Sequence, residues 1–479
     1  MKENSRKTAF YILLGVMITG FLLLFSFTTS PLYPNTYGVD SAFNRFMGLM
    51  IRRGKVLYSE IWDNKGPVLF FIQAIGTLKG TRNAGLTLTF LMQAVSFFLT
   101  VFILFKTDET VHRGGKRYPR LILIFLAAAA ILAKVMESGN LSEEWSLPMI
   151  GCSLYMLINY AGNAENDPRH PCRYAFIHGI CFALIAFIRV NNAISQCAGL
   201  LLIAVYLMIR KQWKNLLENI LFGLLGIAVI TLPVMIYFLS KHALGDMLYA
   251  VFFYNLKYAE RRTHKTFAGT DLLDRFLPIA ASLLILLIHL IRKRRIRLTD
   301  IMMLMIIAAN GIMLWQSNVY LHYYVIFVPV WLMVLLLYAD LPGFPEILAA
   351  LAVCAYFIRQ DARLVSGIPE MMKEPDKYAY AATIPEDEKD SAIAIWVSPE
   401  VYLNSGLIPC SRYAAYQFMH FPVDPPMLDE FLNDLHSKNP KWIAILSGYE
   451  EIYPEVGEML SADYQKMHDE FGVTYYRMR

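Results

Sequence analysis

The chain has 479 residues, of which 56% are hydrophobic and 17% charged, with a formal net charge of +5. Soluble domains carry about 25% charged residues, so a soluble globular class is excluded in favour of one embedded in a bilayer. The basic residues cluster beside apolar runs and form no single face, which excludes nucleic acid as a partner, and the six cysteines show no spacing for a disulfide framework or a zinc site.

A basic start (Lys2, Arg6, Lys7) leads into the first apolar run, 9–27. Its apolar part of about 19 residues exceeds a signal-peptide core and reads as a retained anchor. Next comes a charged stretch, 37–67. Phe43, Phe46, Met47, Met50 and Ile51 fall at i, i+3, i+4, i+7 and i+8 after Asp40, with Arg45, Arg52 and Arg53 on the other side. That spacing predicts an amphipathic helix in the membrane interface, its basic residues towards lipid head groups. The run 67–78 is apolar but short, and predicts a helix dipping into the membrane. Further apolar runs near 84–105, 120–136, 146–162, 174–189, 192–209, 217–239, 274–291, 299–316, 323–338 and 345–359 bring the expected total to about eleven spans.

Lys and Arg are concentrated in 106–120, 210–214 and 292–297, which places those loops and the N-terminus on the cytoplasmic side of the membrane. The first outer loop, 137–145, 189–192, 240–273, 317–324 and everything after about 360 then lie outside. Basic residues in 240–273 run against the rule. The tail differs in character. After a charged linker, "SAIAIWV" (391–397) and "KWIAILSG" (441–448) read as strands and "MLDEFLNDLHS" (427–437) as a helix. A helical stretch near 453–470 and a final "VTYYRM" complete a small α/β domain. The expected division is a transmembrane domain over 1–359 with its first outer loop at 29–66, a linker at 360–390 and an extracytoplasmic α/β domain at 391–479. No internal repeat indicates a solenoid, and no paired broken helices indicate a repeat-built transporter.

The polar segments carry a series of motifs. An acidic residue (Asp40) follows the first span, then an interfacial helix, G-x-x-L-Y-x-E (54–60) and D-x-K-G-P (63–67). Further on stand "SGNLSEEWSLP" (138–148), "FIRVNNA" (187–193), "FFYNLKYAE" (252–260) and "YLHYYVIFVP" (320–329). In order and spacing these resemble the GT-C glycosyltransferases over most of residues 8–340. They are most similar to the branch with the protein O-mannosyltransferases and the bacterial aminoarabinose transferase of lipid A. The tail shows no such likeness.

The resemblance implies an α-helical polytopic membrane protein of a bacterial inner membrane. It implies transfer of a sugar from a polyprenyl phosphate, usually with inversion, to a glycan, lipid or protein acceptor on the outer face. A hydroxyl attacking an anomeric carbon needs a base, and Asp40 matches the family's acidic residue in the first outer loop. The bland alternative is that Asp40 caps a helix. The leaving phosphate gains charge as the bond breaks, so cations placed there act on the transition state. Lys65, beside Asp63, is the first candidate, against snorkelling at the end of the dipping helix. Arg261 and Arg262 are suited to a bidentate grip, against ordinary loop charge.

Arg189, followed by Asn191 and Asn192, places a charge close to hydrocarbon, which is expensive unless functional; the rival is interface anchoring. Glu143 and Glu144 are suited to a cation or a sugar hydroxyl, or to no more than starting the helix that follows. His322 and Tyr323 are candidates for contact with sugar or phosphate, with a structural role as the alternative. Carboxylates are available for a divalent cation, but no ligand spacing is diagnostic, and no Gly-rich phosphate loop is present. Two rivals to a transferase stand: a transporter or flippase of lipid-linked sugars, and a non-catalytic relative that binds them. Charges gathered between spans on one side favour a catalytic crevice over a transport path.

Overall fold

The computed structural model describes residues 2–36, 38–80, 87–111, 117–260, 269–316, 320–339 and 344–479. Helices stand over each expected apolar run. Among the described residues, eight stretches are long and apolar enough to cross a membrane. One of them, Cys172–Ile209, is interrupted by a 3-10 turn at Val190–Ala193. Leu217, Leu221, Leu224 and Leu232 on the helix Trp213–Ser240 are more than half exposed. An apolar face of that extent is tolerated in hydrocarbon and not in water. The chain is an integral membrane protein.

The backbone falls into two compact units. The first comprises Met1–Ser26, Met92–Val234 and His264–Pro369 and is helical. Its interior is built on the helix Val328–Tyr338, buried along its whole length, and on most of Ser142–Asn163. Small residues let its helices approach closely: a Cβ added at Gly179 would fall on the backbone of Gly223 and Ile227, and one at Gly226 on that of Phe176 and Ile180. Close backbone contact of this kind supplies packing where no hydrophobic drive between helices exists.

The second unit comprises Phe27–Leu91, Met235–Thr263 and Glu370–Arg479, so the charged opening stretch and the tail belong to one body. The amphipathic pattern forms the helix Val39–Arg52 and the short apolar run forms Pro67–Gly76, with proline at its start. On the polar face of the first helix, expected towards head groups, Arg45 departs from that expectation while Arg52 and Arg53 are exposed. Arg45 is fully buried and donates to the Thr28 carbonyl at 2.6 Å and to Thr36 Oγ1 at 3.2 Å. Burial lowers its guanidinium to about 10, with Glu400 pulling the other way. Arg52 donates to the Thr77 carbonyl, and Arg53 to the Gly406 carbonyl at 2.6 Å. Tertiary partners hold Arg45, because a buried charge is tolerated only when hydrogen-bonded.

The tail carries a four-stranded sheet: β1 (Ala392–Ile395), β2 (Trp442–Leu446), β3 (Tyr464–Glu470) and β4 (Val473–Met478), in spatial order β1-β2-β4-β3. β1 and β2 are parallel, with Ala392 opposite Trp442, and β4 is antiparallel to both β2 and β3. The expected helices appear as Pro426–Lys438 and Pro454–Asp463. The helical stretch expected to reach 470 stops at Asp463, and its remainder is β3. This strand lies at the sheet edge, mostly exposed and polar, so it lacks the alternation that marks a half-buried strand. Phe471 and Gly472, both at positive φ, turn the chain from β3 into β4.

The two helices of the opening stretch meet at Gly48, where an added Cβ would fall on the backbone of Gln73 and Ala74. Overpacking against backbone costs about 1–3 kcal/mol. Gly48→Ala is therefore expected to lower the melting temperature of the detergent-purified protein by several degrees. An unchanged melting temperature would show that the two helices separate freely.

Candidate active site

The centre of the second unit is assembled around Lys65. Its ammonium lies 3.4 Å from Asp40 Oδ1 and 3.5 Å from Asp63 Oδ2. The Asx turn that orients it is local: the Lys65 backbone N–H donates to Asp63 Oδ1 at 2.7 Å. Tyr58 adds a second restraint, its hydroxyl donating to the Lys65 carbonyl at 2.9 Å. The ammonium also stands 6.0 Å from the Phe43 ring centroid and 5.8 Å from that of Tyr416, within cation–π reach. Asp63 is 1% exposed and Asp40 36%, so one carboxylate is sealed and the other open. Burial pushes the Asp63 carboxyl above its ordinary range, while Lys65 pulls it down through charge and hydrogen bonding.

Asp40 sits in the first turn of its helix and accepts a hydrogen bond from the Tyr416 hydroxyl at 2.9 Å. Tyr416 holds a left-handed backbone (φ 57°), as does Tyr58 (φ 70°). Bulky residues rarely adopt that conformation, and such strain gathers at functional positions. Behind Tyr416 lies His420, 6.0 Å between ring centroids. Its Nδ1 shares a hydrogen bond with the Tyr254 hydroxyl at 2.7 Å, and Trp62 packs edge-on against both rings. Asn64 and Asn255 exchange hydrogen bonds of 2.9 and 2.8 Å and hold the D-x-K-G-P turn to the segment after Met235. Tyr416, His420 and Tyr254 were not singled out by the sequence. Tyr254 lies within the motif "FFYNLKYAE", and the local signal for the other two is a histidine among aromatics in "YAAYQFMH".

The remaining candidates occupy the first unit, apart from Arg261 and Arg262, which lie outside the described residues. Arg189 pairs with Glu143 Oε1 at 2.8 Å, donates to the Tyr323 hydroxyl at 2.7 Å and stands 4.4 Å over the Tyr323 ring. His322 meets Glu137 at 2.9 Å. Glu144 accepts from Gln93 and from the Leu141 N–H, at the start of the helix Ser142–Asn163. Asn192 donates to Ser146 Oγ at 2.9 Å, whereas Asn191 is exposed. Glu143, Arg189 and Tyr323 thus form one cluster, and Glu144 serves the helix start. Among the described residues no three His, Cys, Asp or Glu side chains gather within reach of one metal ion.

Residues 1–341 match the family described as "Putative competence-induced protein Ccs4 N-terminal domain". No curated protein matches in sequence. Among solved structures, ArnT from Cupriavidus metallidurans bound to undecaprenyl phosphate is similar, with a TM-score of 0.63 and 13% identity over 97% of each chain. Its apo state gives 0.62 and 11%, over 99% of this chain and 98% of that one. The apo oligosaccharyltransferase of Archaeoglobus fulgidus gives 0.50 and 14%, over 98% of this chain and 74% of that one. At these identities the likeness establishes the fold: it is that of the GT-C membrane glycosyltransferases, with a small C-terminal sheet.

His420 offers a test of how tightly this centre is closed. Burial lowers its imidazole to about 3, with Lys65 acting in the same direction and Asp40 against it. A histidine held below its unfolded value of about 6.5 stabilises the fold above that pH. The contribution is lost as pH falls from about 6.5 towards 3. Asp63, raised on folding, has the opposite sign, so the histidine must be isolated by subtraction. The parent is expected to lose melting temperature between pH 6.5 and 4.5 faster than His420→Gln. Parallel pH profiles would mean that water reaches the ring.

Proposed function

The chain belongs to the Ccs4 N-terminal domain family and has the GT-C fold, and from that premise we propose that it is a membrane glycosyltransferase using a polyprenyl-phosphate sugar as donor. The observation that carries this reading is the juxtaposition of an open carboxylate, Asp40, with a largely buried lysine, Lys65. Inverting transfer requires those two charges: a base for the incoming hydroxyl and a cation for the departing phosphate.

In the proposed step the acceptor oxygen attacks the anomeric carbon and its proton passes to Asp40. The bond from that carbon to the phosphate oxygen breaks, and its electron pair stays on the polyprenyl phosphate. Lys65 stabilises that growing charge, as a charge-assisted hydrogen bond is roughly twice as strong as a neutral one. At rest Lys65 is shared between Asp40 and Asp63. An arriving phosphate competes for the ammonium, and its long stem lets it swing. Donor binding then frees the Asp40 carboxylate, while Tyr416 keeps it oriented. Asp63 remains as the buried counter-charge that returns Lys65 after the product leaves.

The positive-inside pattern supports an inside N-terminus, with the reaction on the outer face of a bacterial inner membrane. In this reading the first unit provides the membrane framework, 360–390 a connection, and 391–479 the outer domain, joined in one body with the charged opening stretch. Hexosyl and pentosyl donors are equally compatible with the centre. Glu143, Arg189 and Tyr323 are proposed to contact lipid-linked substrate in their own unit.

Asp40→Asn keeps size and removes the base. It is expected to bind donor normally and to lose about 10²–10⁴-fold in turnover; turnover within a few-fold of the parent would leave Asp40 as a helix-start residue. Lys65→Ala should weaken affinity for polyprenyl phosphate while leaving that for uncharged polyprenol unchanged. Equal loss for both ligands would mean lost packing instead of lost phosphate recognition.

A further inference from the structure

The second unit contains a polar cavity of about 140 Å³ that the transfer step does not use. Trp62, Tyr249, Tyr413, Pro426 and Met427 supply apolar surface, and Asp246, Arg412, Asp424 and Glu430 supply charge. We propose that this cavity binds one neutral sugar residue of a saccharide acceptor.

The lining is built from segments far apart in the chain. Tyr249 opens a π-helical turn, Tyr249–Phe253, and Asp246 lies on the short helix before it. π-turns occur as inserted residues within helices and are frequent at functional sites. Asp424, Pro426, Met427 and Glu430 surround the start of the helix Pro426–Lys438. Arg412 donates to Glu430 at 2.6 Å and to Asp246 at 3.4 Å, and the Tyr413 hydroxyl donates to Glu430 at 2.9 Å. Asp424 accepts from the Tyr249 hydroxyl and pairs with Lys257 at 3.2 Å. Arg412 Nε is buried and makes no hydrogen bond.

Charge decides the ligand class. The three carboxylates outnumber Arg412 and Lys257 by one, so the lining is weakly negative and phosphate is disfavoured. Asp424 and Glu430 are already matched by Lys257 and Arg412, which leaves little for a bare divalent cation. A neutral polyhydroxyl compound fits, because its hydroxyls donate to the carboxylate oxygens of the lining. Its C–H faces lie on aromatic and apolar surface. Size agrees: the space is enough for a single small ring and well below a pocket for a drug-sized ligand, about 300 Å³ or more.

Position links the cavity to the reaction. Trp62, on its wall, packs against His420 at 4.8 Å, His420 lies beside Tyr416, and Tyr416 holds Asp40. The assignment to the acceptor rests on the transferase reading; the binding of a sugar does not.

The test uses the full chain in detergent and saturation-transfer NMR with methyl glycosides of glucose, galactose, mannose and N-acetylglucosamine. At least one glycoside is expected to bind. Asp424→Asn and Glu430→Gln, checked for folding by melting temperature, are each expected to weaken it about tenfold, the loss of one hydrogen bond to a charged group. Calcium and inorganic phosphate should not compete. No binding by any glycoside, or binding untouched by both folded variants, overturns the proposal, and competition by calcium would make the cavity a cation site. Glycoside binding without sugar transfer from any donor would remove the transferase reading and keep the cavity, whereas transfer without glycoside binding would do the reverse.

Discussion

The ammonium of Lys65, suspended between the carboxylates of Asp40 and Asp63, is the contact on which the second unit's polar centre depends. An isolated charge in that aromatic setting would be costly to hold. Two nearby carboxylates, neither at close hydrogen-bond distance, offset the cost without locking the side chain. The buried Asp63 fixes where the charge resides, and the open Asp40 is where it is exchanged. Tyr58 and Tyr416, both in strained left-handed conformations, hold the two ends of this arrangement. Phe43 packs on Tyr416 and Phe46 on Tyr402, 5.1 and 4.6 Å between centroids.

That packing explains why the charged opening stretch and the tail form one body. Arg45, on the Val39–Arg52 helix, bonds Thr36 Oγ1, and Glu400 of the tail accepts the Thr36 N–H at 2.8 Å. Asn35 bonds the Pro375 carbonyl at 2.9 Å, and the Trp62 N–H bonds the Arg412 carbonyl at 3.0 Å. The tail therefore contributes directly to the centre: one of its tyrosines orients Asp40, and its His420 closes the wall behind. The GT-C likeness in sequence ends before this segment, yet the structural likeness to ArnT runs over 97% of the chain.

Much of this was legible in the sequence, and the reasons for the rest are physical. Apolar runs announce helices because lipid demands them, and Asp40, Asp63 and Lys65 were found because local motifs carry them. Tyr416 escaped because its partner lies 376 positions away, a separation that no periodicity encodes. Arg45 was misplaced because amphipathic spacing reports which residues share a face and is silent on what covers it. β3 was read as helix because an exposed polar edge strand has no inward-facing alternation. The pairing of Glu143 with Arg189 and Tyr323 likewise required the fold, since each residue alone had an adequate local explanation.

The most direct test of the account is to incubate the purified full-length protein with a panel of polyprenyl-phosphate sugars and a cell-envelope acceptor fraction, and to measure free polyprenyl phosphate. The account predicts release from at least one donor, with the sugar recovered on the acceptor. Folded protein that releases polyprenyl phosphate from none of them would contradict it.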